Sequence, residues 1–182
     1  MEEKNKAWKT VSSKYLFRRP WLTVRCEDML LPNGNHIPEY YILEYPDWVN
    51  TIAITKEGKF VFVRQYRPGI QRTCYELCAG VCEAEDASPL VSAQRELWEE
   101  TGYGKGNWPE YMVVSANPST HTNLTHCFLA TDVELIDHQH LEDTEDLSVH
   151  LLTLEEVRSL LENNEIMQSL NAAPLWKYMA GL

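Results

Sequence analysis

The segment from Ser88 to Gly102 limits the architectures open to this chain more than any other, because it specifies a helix with two incompatible faces. Ser88 is a good N-cap, Pro89 suits the first helical position and Gly102 supplies a left-handed stop, which together predict a helix over about Pro89–Thr101. Leu90, Ala93, Leu97 and Thr101 recur at spacings of three and four and would meet a core, whereas Ser92, Glu96, Glu99 and Glu100 gather on another side. Glu96 and Glu100 are then axial neighbours, and like charges at that spacing destabilise a bare helix and raise one another's pKa. Two readings stand: the acidic face is solvated, or it holds a hard divalent cation such as Mg2+. Such an ion prefers oxygen ligands and needs only one or two protein carboxylates when a substrate phosphate supplies the rest.

The surrounding chain offers strands for this helix to cover. Residues 22–31 and 37–44 are strand-like and are joined by Pro32-Asn33-Gly34-Asn35, in which Asn-Gly is a strong hairpin signal. Residues 48–55 and 59–66, rich in Val, Ile and Phe, flank Lys56-Glu57-Gly58 as a second hairpin. Further strands are expected over 74–78, 111–115, 124–131 and 147–153, with helices over 154–163 and 166–180. Strands on both sides of one helix, followed by terminal helices, fit an α/β sandwich with a mixed sheet and an N-terminal antiparallel hairpin. Residues 1–45 would form the hairpin segment and 46–182 the main domain.

At 182 residues and 44% hydrophobic, the chain is sized for one domain with a substantial core. A formal charge of −11 argues against nonspecific binding to nucleic acid or anionic membranes. No run reaches the roughly 18 apolar residues of a membrane span, and Met-Glu-Glu-Lys-Asn-Lys lacks the apolar centre of a secretion signal, so cytoplasmic residence is expected. Of five cysteines, Cys74, Cys78 and Cys82 recur every fourth residue without a second pair at zinc-site spacing, which reads as reduced structural thiols.

Ala79-Gly80, the acidic run Glu83-Ala84-Glu85-Asp86 and then Arg95-Glu96-Leu97-Trp98-Glu99-Glu100-Thr101-Gly102-Tyr103 together resemble the Nudix box, G-x5-E-x7-R-E-U-x-E-E-x-G-U with U apolar. The second half matches throughout if Tyr103 serves as the last apolar residue. In the first half the glutamate position falls on Asp86, and eight residues rather than seven then precede Arg95. One extra residue in the Asp86-Ala87-Ser88 loop accounts for this, since loop closure tolerates insertions. Either Glu85 or Asp86 then fills the first carboxylate role. The run Phe60 through Pro68, then Tyr75-Glu76-Leu77-Cys78-Ala79-Gly80, Asn117-Pro118-Ser119-Thr120-His121 and the acidic loop Glu142 to His150 resemble the ADP-ribose and nucleotide-sugar pyrophosphatase branch of that superfamily, in matching order.

The resemblance implies a Nudix-type α/β/α sandwich and Mg2+-dependent hydrolysis of a pyrophosphate bond in a nucleoside diphosphate linked to another group, with ADP-ribose or a nucleotide sugar favoured. Hydrolysis of nucleoside triphosphates, or nucleotide sensing by a catalytically weakened domain, are the alternatives. By the same resemblance Glu96, Glu99 and Glu100, with the backbone carbonyl of Ala79, would hold Mg2+ or Mn2+. Glu99 and Glu145 would serve catalysis, and Arg95 would orient Glu83, Glu85 or a neighbour by charge-assisted hydrogen bonds. Arg64, Arg67, Glu76 and Trp21 would bind substrate, although each arginine is equally readable as a surface ion pair and Trp21 as a core or interface residue. His121 and His126 are titratable near neutral pH but more often structural, and His138 and His140 form a His-x-His pair with no evident third ligand. A homodimer is expected, packed through the N-terminal hairpin, with Trp21 or Tyr40 of one subunit closing the other's nucleotide pocket.

Overall fold

The computed structural model describes residues 6–182, which form two compact units, one running up to Tyr45 and including Asn117–Asn123, the other comprising Pro46–Ala116 and Leu124–Leu182. In the first unit β1 (Lys9–Arg19), β2 (Leu22–Leu30) and β3 (His36–Glu44) make an antiparallel sheet in that order. The expected hairpin is thus a three-stranded sheet. β1 escapes a reading by pattern because every one of its eleven residues is exposed, so no alternation of apolar and polar positions marks it. Asn117–Asn123 joins this unit through β3: Leu43 N donates to Thr120 O (2.8 Å), Thr122 N to Leu43 O (3.1 Å) and the Tyr40 hydroxyl to Ser119 O (2.6 Å).

The second unit holds β4 (Trp48–Thr55), β5 (Phe60–Arg67), β6 (Arg72–Glu76), β7 (Cys78–Val81), α1 (Pro89–Thr101), β8 (Tyr103–Gly104), β9 (Glu110–Val114), β10 (Thr125–Leu135), β11 (Leu147–Leu152), α2 (Leu154–Glu162) and α3 (Ser169–Ala180). Its sheet runs β11-β5-β4-β10-β8, with β6 on β5, β7 on β4 and β9 on β10. β10 pairs parallel with β4 and the other pairings are antiparallel, which makes the sheet mixed. The single strand expected over 74–78 is two strands, because the chain changes partner from β5 to β4 at the buried Leu77.

Alternation along the strands builds the sandwich. Ile52, Phe60 and Phe62 point to one face and pack with Val157, Leu161, Ile166 and Leu175 of the C-terminal segment, whereas Ala53 and Val61 point to the other and pack with Leu97 of α1. Pro174 inside α3 cannot donate to the carbonyl one turn back, and Asn50 Nδ2 donates to that carbonyl, Leu170 O, at 2.7 Å. β4 and β5 pair only at Ala53 with Val61 and Ile54 with Phe60, next to their turn, and then diverge toward β7 and β6. That divergence leaves a cleft of about 250 Å³ lined by Trp48, Asn50, Arg67, Ala79, Gly80, Thr125 and Asn171, among others.

Candidate active site

α1 begins and ends where its sequence predicts. Ser88 accepts a hydrogen bond from Val91 N, and Gly102 caps the C-terminus in the left-handed region (φ 74°), its N–H donating to Trp98 O. The two faces are less cleanly divided than the spacing suggests. Ala93, Leu97 and Thr101 are buried as expected, but so are Ser92, whose hydroxyl meets Ser88 O, and Glu100, which is only 4% exposed. The solvated-face reading therefore fails at Glu100.

A buried carboxylate is held here by its surroundings. Ala79 N donates to Glu100 Oε2 at 3.2 Å, and the Cys78 thiol bonds the same carboxylate. Burial above all, then the charges of Glu96 and Glu145, push the Glu100 pKa up to about 8 against those hydrogen bonds. Burial also raises Glu96, opposed by Arg95 and reinforced by Glu99. Gly80 lies so close to Glu96 that a Cβ there would stand 2.0 Å from the carboxyl carbon. Glycine there leaves room for the Glu96 carboxylate beside the β7 backbone.

Arg95 organises the exposed side of the cluster. Its Nη1 donates to Glu96 Oε1 and Glu99 Oε2, both at 3.0 Å, and its Nη2 to Asp86 Oδ2 (2.9 Å) and Val81 O (3.1 Å). Partial burial works against its charge, but the bond to Asp86 and the fields of Glu96 and Glu99 outweigh this and raise its pKa. Of Glu85 and Asp86, the two carboxylates left open for the irregular half of the box, Asp86 meets Arg95 and Glu85 is exposed. Glu83 comes only to 3.9 Å.

The remaining predicted residues divide. Arg67 forms a two-pronged pair with Glu76, Nε to Oε1 at 2.8 Å and Nη2 to Oε2 at 2.5 Å, and its charge is felt together with that of Glu100. Glu76 is 2% exposed and its carboxylate is engaged by Arg67 and Gln65. Arg64 alternates to the opposite side of β5 and stands over the Tyr75 ring at 5.3 Å, away from the box. Glu145 lies in an exposed turn whose charge reaches Glu100 and Cys78. Trp21 is 83% exposed at the β1–β2 turn of the first unit, and His121 of that unit packs on Tyr45. His126 is braced between Glu110 (3.0 Å) and Asp47 (3.4 Å).

Residues that sequence reasoning missed are Cys78, Asn50, Thr125 and Asn171. The last three line the cleft, and each keeps a buried oxygen without a protein partner, a mark of a place that takes water or a ligand hydroxyl. No motif signals them, because β4, β10 and α3 bring them together from distant positions.

The donor chemistry suits a hard cation, with the glutamates of α1, one of them buried, beside backbone kept bare by a glycine, although the carboxylates of Glu96, Glu99 and Glu100 do not converge to within 4.8 Å of one another. Fold and site thus define an α/β sandwich hydrolase with an acidic helix beside a polar cleft. Residues 8–43 match the nucleoside diphosphate sugar hydrolase N-terminal domain, and residues 45–172 match the NUDIX domain. An ADP-ribose pyrophosphatase of Bacillus subtilis is 31% identical over 165 residues, 90% of this chain and 88% of that protein. The methanol dehydrogenase activator of Bacillus methanolicus is 30% identical over 162 residues, 88% and 86% of the two chains. A crystal structure of an ADP compounds hydrolase shares the fold, with a TM-score of 0.84 at 20% identity, covering 98% of this chain and 97% of that one. The chain belongs to the Nudix family and is a pyrophosphohydrolase of the ADP-ribose pyrophosphatase-like kind.

Proposed function

We propose that the protein hydrolyses the pyrophosphate bond of a nucleoside diphosphate linked to a second group, ADP-ribose in the first instance, with Mg2+ or Mn2+ as cofactor. The observation that carries this reading is the buried Glu100 carboxylate beside Glu96, Glu99 and the bare backbone of Gly80. Burial pushes this carboxyl's pKa up to about 8 in the metal-free fold, and a cation beside it would offset the cost of ionising it. The Bacillus subtilis relative, named an ADP-ribose pyrophosphatase, supports the substrate.

Glu96, Glu99 and Glu100, with the Ala79 carbonyl, would hold the cation. When bound, it supplies positive charge that offsets the diphosphate's and favours ionisation of the attacking water. Arg95 keeps Glu96 and Glu99 aimed through hydrogen bonds from its Nη1 to both. Glu145 takes the proton from water, its loop standing within electrostatic reach of Glu100. Arg67, clamped by Glu76, lends its free guanidinium edge to a phosphate, and in the expected dimer Trp21 of the partner subunit offers an indole to the nucleobase. The same reading keeps the protein in the cytoplasm, where its five thiols stay reduced.

A panel of ADP-ribose, UDP- and GDP-sugars, dinucleoside polyphosphates and nucleoside triphosphates, with products weighed by mass spectrometry, tests the substrate. ADP-ribose should give AMP and ribose 5-phosphate with the highest kcat/KM, and chelation should abolish turnover. A preference for triphosphates would overturn the substrate class, and activity surviving exhaustive chelation would overturn the metal requirement.

A further inference from the structure

The His-x-His pair, which lacks a third ligand in the sequence, gains one in the fold. Beyond Leu135 the chain turns back over the C-terminal end of α1. Ile136 N and Asp137 N donate to Gly102 O (2.9 and 3.1 Å), His140 N to Glu99 O (2.8 Å) and Gln139 Nε2 to Glu100 O (2.7 Å). The His140 ring stacks on the Trp98 indole, with centroids 4.2 Å apart and planes at 29°. These contacts hold the segment against the helix independently of any interaction among its own side chains.

So held, Asp137 stands between two imidazoles. Its Oδ1 meets His138 Nδ1 at 2.7 Å and its Oδ2 meets His140 Nε2 at 3.1 Å, while the two rings lie 4.3 Å apart. The donor atoms all fall within 4.8 Å of one another, the one such trio of His, Cys, Asp or Glu side chains among the described residues. A cation about 2.0–2.2 Å from imidazole nitrogen and carboxylate oxygen fits the nitrogen–oxygen separations of 2.7 and 3.1 Å. Two nitrogens and one oxygen suit late first-row divalent ions, whereas Mg2+ wants oxygen alone.

We propose that Asp137, His138 and His140 form a second metal site, for Zn2+, Co2+ or Ni2+, on the segment that follows β10 and lies over the end of α1. The site is distinct from the box carboxylates in both place and donor chemistry. His138 is largely exposed, so coordination positions stay open to water and the ion exchanges with the surroundings. The His138 backbone N–H donates to Asp137 Oδ1 at 2.8 Å, which fixes the carboxylate beside the two rings.

The test is a Co2+ titration of the full chain in excess Mg2+, followed by visible absorption and by quenching of Trp98 fluorescence, with Trp98→Phe identifying the responding indole. One Co2+ per chain should bind under these conditions, raise Tm, and bind equally well to Glu100→Gln. His138→Ala should weaken it by about tenfold or more and His138→Ala/His140→Ala should abolish it. The His138 side chain is exposed, so its removal should leave the fold by circular dichroism and the metal-free Tm unchanged even if loss of His140 does not. Absence of saturable Co2+ binding in Mg2+, or unchanged affinity in His138→Ala, would overturn the site. Neither result depends on what the protein hydrolyses.

Discussion

Glu100 shows how one residue's environment reverses its ordinary chemistry. An exposed glutamate titrates near 4.3, but burial lifts this one to about 8 in the metal-free fold, with Glu96, Glu145, Cys78 and Arg67 as its charged or titratable neighbours. Between those values the folded state binds more protons than the unfolded one, so this group makes stability fall as pH rises. The metal-free protein should therefore lose Tm from about pH 5 to pH 8, a slope read by thermal denaturation. Glu100→Gln should flatten that slope and raise Tm near pH 8 by roughly 2–4 °C for each kcal/mol relieved, while turnover with Mg2+ drops by about 10² or more. Equal slopes in both proteins would remove burial as the cause.

Asp86 and Glu85 give a sharper contrast at the same scale. Asp86 Oδ2 accepts from Arg95 Nη2 at 2.9 Å, and that bond leads the causes that lower its pKa, whereas Glu85 is exposed. Asp86→Asn should reduce kcat by about tenfold through misaligned Glu96 and Glu99, and Glu85→Gln should match the parent. The reverse ranking would exchange their roles.

At the scale of elements, the approach of β7 to α1 and the stop of α1 each depend on one glycine. A methyl at Gly80 collides with the Glu96 carboxylate, the movable end of a flexible side chain, so Gly80→Ala should fold with nearly the parental Tm yet lose most of its turnover. A methyl at Gly102 meets the Asp137 carbonyl at 2.2 Å, which is backbone, and φ is +74° besides. Gly102→Ala should cost on the order of 1–3 kcal/mol of stability as well as activity. Thermal melts and initial rates on the two variants separate a misplaced ligand from a disrupted helix end.

For the whole molecule, β1 poses the question of assembly. Its eleven residues are all exposed, among them Val11, Tyr15, Leu16 and Phe17, with Trp8 and Trp21 at its ends. An apolar surface of that kind on a marginal three-stranded sheet is the mark of an interface. We expect a homodimer through this sheet, sedimenting at about twice the 21.1 kDa of the chain. Phe17→Asp should shift it toward the monomer. A parent species near 21 kDa at micromolar concentration would leave β1 without that role.

Local signals made much of this protein readable beforehand. Ser88, Pro89 and Gly102 delimit α1, Asn33-Gly34 closes β2 onto β3, and the run of β-branched residues in Trp48–Thr55 forms β4, because caps, turns and periodicity act over only a few residues. The acidic character of the helix and the pairing of Arg95 with its neighbours were legible for the same reason. Tertiary structure alone decided that Glu100 is buried, that Asp86 meets Arg95, that Arg67 is clamped by Glu76 while Arg64 faces the other side of the sheet, and that β1 exists at all. Burial and pairing are set by what other segments place around a residue, and the β4–β5 divergence, the return of β10 over α1 and the gathering of Asn50, Thr125 and Asn171 leave no trace in neighbouring sequence. The chain's own order determined its elements and its chemistry; the packing of those elements determined which carboxylates share a site, since desolvation and charge coupling act through space and not along the backbone.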